Sequence, residues 1–203
     1  SPKGTWSTIF ESQIVNGMAH ASQSGSGKIM LQDDNLFLAV GYGKEEEVDD
    51  KLYASSLDLK SDFGKILKID LNTNEAKIFS IGHRNIQGMY PFNKKNFIAT
   101  EHGPQGGDEV NLIQEGKNYG WPHHTYGTRY GTYDYKLNGV ASILDNFEEP
   151  FFSFVPSIGI SSIVQLNKFN ERWSGDMLVG SLKSQSLYRL KHVDGRVVFQ
   201  EPI

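Results

Sequence analysis

Three stretches of this sequence set polar side chains among glycines in a way that suits ligand chemistry. The first is Gly82-His83-Arg84-Asn85-Ile86-Gln87-Gly88. The second is Thr100-Glu101-His102-Gly103-Pro104-Gln105-Gly106-Gly107-Asp108-Glu109-Val110-Asn111, which leads on to Asn118-Tyr119-Gly120-Trp121-Pro122. The third is Val179-Gly180-Ser181-Leu182-Lys183. Glycine lets a backbone approach a ligand closely and adopt positive φ. Arg84 offers a planar fork of donors to a carboxylate or quinone oxygen. Pro104 fixes the local backbone beside Gly103, and the carbonyl oxygens presented there suit a hard cation such as calcium. The chemistry these residues share is the binding of an anionic, oxygen-rich ligand. Taken one at a time, each stretch also reads as an ordinary turn, and Lys183 as an exposed lysine.

The elements that must position these residues are short strands. Apolar runs alternate with turn signals at residues 6–10, 27–31, 36–40, 65–69, 76–79, 96–100, 160–164, 177–180 and 186–190. Residues 193–199 carry an Asp-Gly hairpin turn at Asp194-Gly195. No long stretch has the 3.6-residue apolar spacing of an amphipathic helix, so the fold class is all-β. Residues 64–70 and 186–190 echo each other, each a strand followed by a turn and a further strand, which favours a β-propeller. At about 40–45 residues per blade the chain holds about four to five blades. Two stretches break the rhythm. Residues 44–51 are charged and read as solvated surface. Residues 114–150 are too long for a simple connection and read as a functional loop.

Bulk properties narrow the function classes. The 203 residues carry a net charge of −4 and no cysteine, with a sequence pI near 5.9. No basic stripe offers itself to phosphates, so no nucleic acid partner is expected. No apolar run reaches the ~18 residues that span a bilayer. Disulfides, thiolate metal sites and a cysteine nucleophile are excluded.

In their order and spacing the three stretches closely resemble the glucose/sorbosone dehydrogenase family of soluble aldose dehydrogenases that use pyrroloquinoline quinone (PQQ). The family pattern runs Gly-His-Arg-Asn-Pro-Gln-Gly, then Glu-His-Gly-Pro-x-Gly-Gly-Asp-Glu-x-Asn, then Asn-Tyr-Gly-Trp-Pro; Ile86 here replaces the proline. The resemblance implies a six-bladed propeller with PQQ on its axial face and calcium beneath the quinone. Arg84, Asn85 and Gln87 would contact PQQ, and Lys183 would pair with one of its oxygens. The backbone carbonyls of Gly103 and Pro104 would ligate calcium. Residues 151–157 would build part of a sugar pocket.

The family reaction passes a hydride from sugar C1 to PQQ while a histidine takes the C1 hydroxyl proton. Ungapped counting places Ser24 at that histidine's position, and His20 is the candidate base if the loop carries an insertion. Gly41-Tyr42 stands where the family has Gly-Asp. The resemblance further implies one partial propeller domain over residues 1–203, truncated at both ends and inactive alone, with open blade edges that favour self-association. It also implies a periplasmic or extracellular setting. Two rivals remain at this point. One is a non-catalytic propeller serving as a binding module, favoured by the serine at the base position. The other is a calcium-bound propeller hydrolase, disfavoured because Asp108, Glu109 and Asn111 cluster in one segment.

Overall fold

A computed structural model describes residues 4–12, 25–43, 45–48, 51–128, 130–131 and 147–203. Its strands pair into three four-stranded antiparallel sheets. Sheet 1 contains β1 (Ile29–Gln32), β2 (Asn35–Val40), β5 (Lys65–Asp70) and β6 (Ala76–Ile81). Its long middle connection carries a separate hairpin of β3 (Glu45–Val48) and β4 (Lys51–Ala54). Sheet 2 contains β7 (Ile86–Pro91), β8 (Phe97–Glu101), β9 (Asp108–Ile113) and β10 (Phe152–Phe154). Sheet 3 contains β11 (Ile160–Gln165), β12 (Met177–Ser181), β13 (Ser186–Val193) and β14 (Arg196–Pro202). Each sheet is a meander in chain order, and β7 packs against both β1 and β11, so the first strands of the sheets lie side by side. That arrangement is the blade geometry of a propeller.

Turn chemistry explains the hairpins. Asp194 and Gly195 both have positive φ (48° and 76°), as the tight two-residue turn between β13 and β14 requires. Asp33 (φ 52°) and Asp34 form the two-residue turn that closes β1 onto β2, with positive φ at Asp33. The internal echo also has a structural basis, because β5 and β13 are the third strands of their sheets and each turns back into a fourth.

The core lies between the sheets rather than within one. Every residue of β8 is buried, because the pleat sends alternate side chains to opposite faces and both faces are covered. Phe97 and Ala99 join Phe37, Ile66 and Phe79 of sheet 1, with Phe97 5.1 Å from Phe37 and 5.5 Å from Phe79 between ring centroids. Ile98 joins Ile160, Ile163, Met177 and Val179 of sheet 3. Each such aromatic contact contributes about 0.5–1.5 kcal/mol beyond simple burial. Sheet 2 is thus held from both sides, and the loops at the ends of its strands are held with it.

The described residues form three four-stranded sheets and the two-stranded β3–β4 hairpin. Two expectations are corrected. Residues 6–10 form no strand; Trp6 is fully exposed, and an alternating pattern without a partner strand does not pair. The charged stretch at 44–51 contributes β3 and the start of β4 rather than a plain loop.

Candidate functional site

The site is built on two buried carboxylates that tie loops together. Glu101 ends β8, where its carboxylate accepts the backbone N–H groups of Arg84 and Asn85 and meets His83 Nδ1 at 3.2 Å. His83 Nε2 lies 2.8 Å from Ser80 Oγ, and the His83 ring stacks on Tyr119 at 4.8 Å. The His102 N–H donates to Asn85 O, so the loops on either side of Glu101 are fastened to each other. The backbone of residues 83–85 is therefore fixed by groups behind it, which leaves the Arg84 side chain to project forward.

Asp108 opens β9 and does the same for the other wall. Its Oδ1 accepts from Gly103 N (3.2 Å) and Ser157 Oγ (3.0 Å), and its Oδ2 from Ile158 N (3.1 Å) and Ile160 N (2.9 Å). His102 Nδ1 stands 3.6 Å away. Burial by itself would raise the Asp108 pKa, but His102 and the bonds from Ile160 and Ser157 outweigh it and hold the carboxyl below its usual range. Glycine is required at Gly103, where an added Cβ would fall 2.2 Å from Gly107 O. Gly82 is similar, with φ 75° and a Cβ position 2.3 Å from Asn118 Oδ1.

Between these walls lies a cavity of about 540 Å³ lined by Tyr42, Arg84, Asn85, His102, Gly103, Pro104, Asp108, Trp121, Tyr130, Ser157 and Gly159. Arg84 enters it between two aromatic rings, its guanidinium carbon 5.4 Å from the Tyr42 ring centre and 5.1 Å from that of Trp121. Its Nη1 donates to His102 O at 3.0 Å and to Gly103 O at 2.9 Å. Its Nε is buried without a partner, as is Trp121 Nε1. Trp121 is held by backbone bonds, its N–H donating to Gly82 O and its own carbonyl accepting from Ser56 Oγ. The cavity thus presents a cation flanked by two aromatic rings, which suits a flat anion rich in oxygen acceptors, while the two unpartnered N–H groups are buried away from its open space.

The structure brings together four of the residues singled out from sequence: Arg84, Asn85, Gly103 and Pro104 all line this cavity. Gln87 lies behind them and donates to Asn85 Oδ1 at 2.7 Å. Lys183 sits at the rim, exposed, with Nζ 3.4 Å from Ser157 O. His20 and Ser24 lie outside the described residues. Of residues 151–157, Ser157 reaches the cavity while Phe154 belongs to the core between sheets 2 and 3. Sequence reasoning assigned no role to Tyr42 or to the clasps Glu101 and Asp108. Their signal was present, since Tyr42 follows Gly41 directly after β2 and both acids sit within the Gly-rich motif. Among the described residues no group of three or more His, Asp or Glu side chains is placed to hold a metal.

Beside the cavity wall, Glu109 pairs across the strands with Glu101 and accepts from Asn111 Nδ2 at 3.2 Å. Burial, with the Glu101 charge adding to it, pushes the Glu109 carboxyl up to about 8.

Known proteins share both sequence and fold with this chain. An uncharacterized protein of Synechocystis sp., slr1608, is 32% identical over 215 residues, covering 97% of this chain and 51% of its own length. Quinoprotein glucose dehydrogenase B of Acinetobacter calcoaceticus is 29% identical over 135 residues, covering 60% of this chain and 27% of its own. The crystal structure of the soluble aldose sugar dehydrogenase from Escherichia coli in its apo-form superposes with a TM-score of 0.71 at 25% identity, covering 86% of this chain and 52% of that one. The chain spans about half the length of the first of these relatives. The family profile described as Glucose / Sorbosone dehydrogenase matches residues 4–203. The chain belongs to the glucose/sorbosone dehydrogenase family.

Proposed function

We propose that this chain carries the quinone-binding wall of a PQQ-dependent aldose dehydrogenase. The observation that carries the reading is Arg84, a guanidinium flanked by Tyr42 and Trp121. A planar tricarboxylate with quinone oxygens fits this donor set, which combines a delocalised cation, aromatic faces, the Asn85 amide and an ammonium at the rim on Lys183. When bound, PQQ supplies the acceptor for the hydride leaving sugar C1. Arg84 would orient the quinone and stabilise negative charge on its oxygen, and its backbone needs no rearrangement because Glu101 already holds it. Asn85, braced by Gln87, and Lys183 would fix the carboxylates. Calcium would draw on the Gly103 and Pro104 carbonyls. The proton acceptor is assigned to His20, with Ser24 at the position where the family has its histidine.

Residues 1–203 are read as one propeller domain, supported by the two cores that join the three sheets. A periplasmic or extracellular setting and an aldose substrate rest on the family. No helix among the described residues is long and apolar enough to cross a membrane. Ser24 favours a second reading, a propeller that binds without oxidising. Mixing the chain with PQQ, calcium and a panel of aldoses, and following the quinone absorbance, tests the dehydrogenase. Loss of the oxidised-quinone band on adding an aldose supports it and contradicts the binding module. A quinone that binds and stays oxidised with every aldose fits the binding module and equally a partial chain that is inactive alone, and no binding of the quinone contradicts the quinone-binding wall.

A further inference from the structure

Lys65 opens β5 and is fully buried, yet it lies behind the cavity rather than in its lining. Its ammonium donates to Ser55 O at 2.7 Å, to Ser56 O at 2.8 Å and to Phe63 O at 2.8 Å. An ammonium has three N–H donors, so each is spent on a main-chain carbonyl. Those carbonyls belong to the connection between β4 and β5, off the strand ladders, where a buried oxygen needs a donor from elsewhere. Burial lowers the Lys65 pKa to about 8 against the opposing effect of Asp58 and Asp62, so the group is mostly charged at neutral pH.

The Ser56 carbonyl leads directly to the cavity. It also accepts from Gly82 N at 3.0 Å, while Gly82 O accepts from Trp121 N at 3.0 Å and Ser56 Oγ donates to Trp121 O at 2.8 Å. Ser56, Gly82 and Trp121 thus close a ring of three hydrogen bonds, and Lys65 clamps that ring at Ser56 O. Gly82 begins the stretch that carries Arg84. The Trp121 ring lies 5.1 Å from the Arg84 guanidinium carbon and 5.5 Å from the Tyr42 ring. The residue before Lys65 reaches the Tyr42 side as well. Gly64 N donates to Gly41 O at 2.9 Å, and the next residue, Tyr42, donates its N–H to Arg84 O at 2.8 Å. A Cβ at Gly64 would fall 2.3 Å from Ser56 Cβ, so residues 56 and 64 are pressed together.

We propose that Lys65 is a positioning residue for the cavity, its ammonium setting the Trp121 ring against Arg84 through Ser56. The inference rests on the quinone reading for the identity of the ligand. Lys65 touches neither quinone nor sugar; it holds the wall in the geometry in which Arg84 meets them.

The test makes Trp121 the sole tryptophan of the full chain through Trp6→Phe and Trp173→Phe, and adds Lys65→Met, Ser56→Ala or Ile69→Ala to that parent. Lys65→Met keeps a long side chain and removes its donors. Ser56→Ala leaves the three carbonyls to Lys65 and removes only the hydroxyl bonded to Trp121. Ile69→Ala opens a void four residues along β5 and controls for a general loss of stability. Without PQQ, Lys65→Met and Ser56→Ala are expected to move the Trp121 emission to longer wavelength and to speed its quenching by acrylamide. Ile69→Ala is expected to lower the melting temperature and leave both unchanged. With PQQ, Lys65→Met and Ser56→Ala are expected to bind about tenfold more weakly than the parent, and Ile69→Ala within about twofold of it. An unmoved Trp121 emission in Lys65→Met overturns the proposal, and so does an equal movement in Ile69→Ala, which reduces the effect to lost stability. Trp121 that moves with no loss of PQQ affinity overturns the role in the site. If Lys65→Met does not fold, an unmoved Trp121 in Ser56→Ala overturns the proposed route. A parent that binds no PQQ overturns the quinone reading instead, and the emission then decides by itself whether Lys65 sets Trp121.

Discussion

At the scale of single residues, the site depends on buried acids held in different charge states. Asp108 is kept ionised by four donors and His102, whereas Glu109, a strand neighbour of Glu101, is pushed up to about 8. A carboxyl whose folded pKa lies above its unfolded value of 4.5 binds more protons when folded. Its stabilising contribution is complete below pH 4.5 and is lost as pH rises towards about 8. The steepest slope this permits is ~1.4 kcal/mol per pH unit. Glu109→Gln, which keeps the shape and removes the proton, is expected to flatten the fall in denaturation midpoint between pH 5 and pH 8 that wild type shows. An unchanged pH dependence in the variant would assign the fall to other groups.

At the scale of elements, the loops between strands matter more than the strands. Asp108 ties the start of β9 to residues 157–160 ahead of β11, and so links sheets 2 and 3 at the cavity edge. Asp108→Ala leaves the buried N–H groups of Gly103, Ile158 and Ile160 without their acceptor. A loss of about 3–5 kcal/mol in unfolding free energy is expected from denaturant titration, the usual cost of removing one member of a buried charged network. A loss below ~1 kcal/mol would mean that water or another group satisfies these donors. Asp108→Asn, which keeps one acceptor oxygen, should recover part of the difference.

At the scale of the whole molecule, much of the fold was legible in the sequence because period-2 apolar runs and Asp-Gly turns act locally. The strands at 36–40, 65–69 and 96–100 were read to within a residue or two of β2, β5 and β8. β7 and β9 were hidden, since Arg84, Asn85, Gln87, Asp108 and Glu109 make those segments look like ligand loops although they pair as strands. The pairing of β9 with β10 was not legible either: residues 114–151 separate the two strands in sequence, and no local signal links them. For the site, Arg84, Asn85, Gly103 and Pro104 were found from glycine spacing and from the family resemblance, and they line one cavity. Tyr42 was not found, because its contact with Arg84 joins positions far apart in sequence and exists only once sheets 1 and 2 have packed.

The central claim is that the cavity around Arg84 binds PQQ, and a titration of the chain with PQQ in calcium, followed by quinone absorbance and melting temperature, tests it most directly. Arg84 supplies charge-assisted hydrogen bonds, so Arg84→Ala is expected to weaken binding by roughly tenfold to a hundredfold and to remove most of the thermal shift seen in wild type. Wild type that binds PQQ no better than Arg84→Ala would contradict the claim.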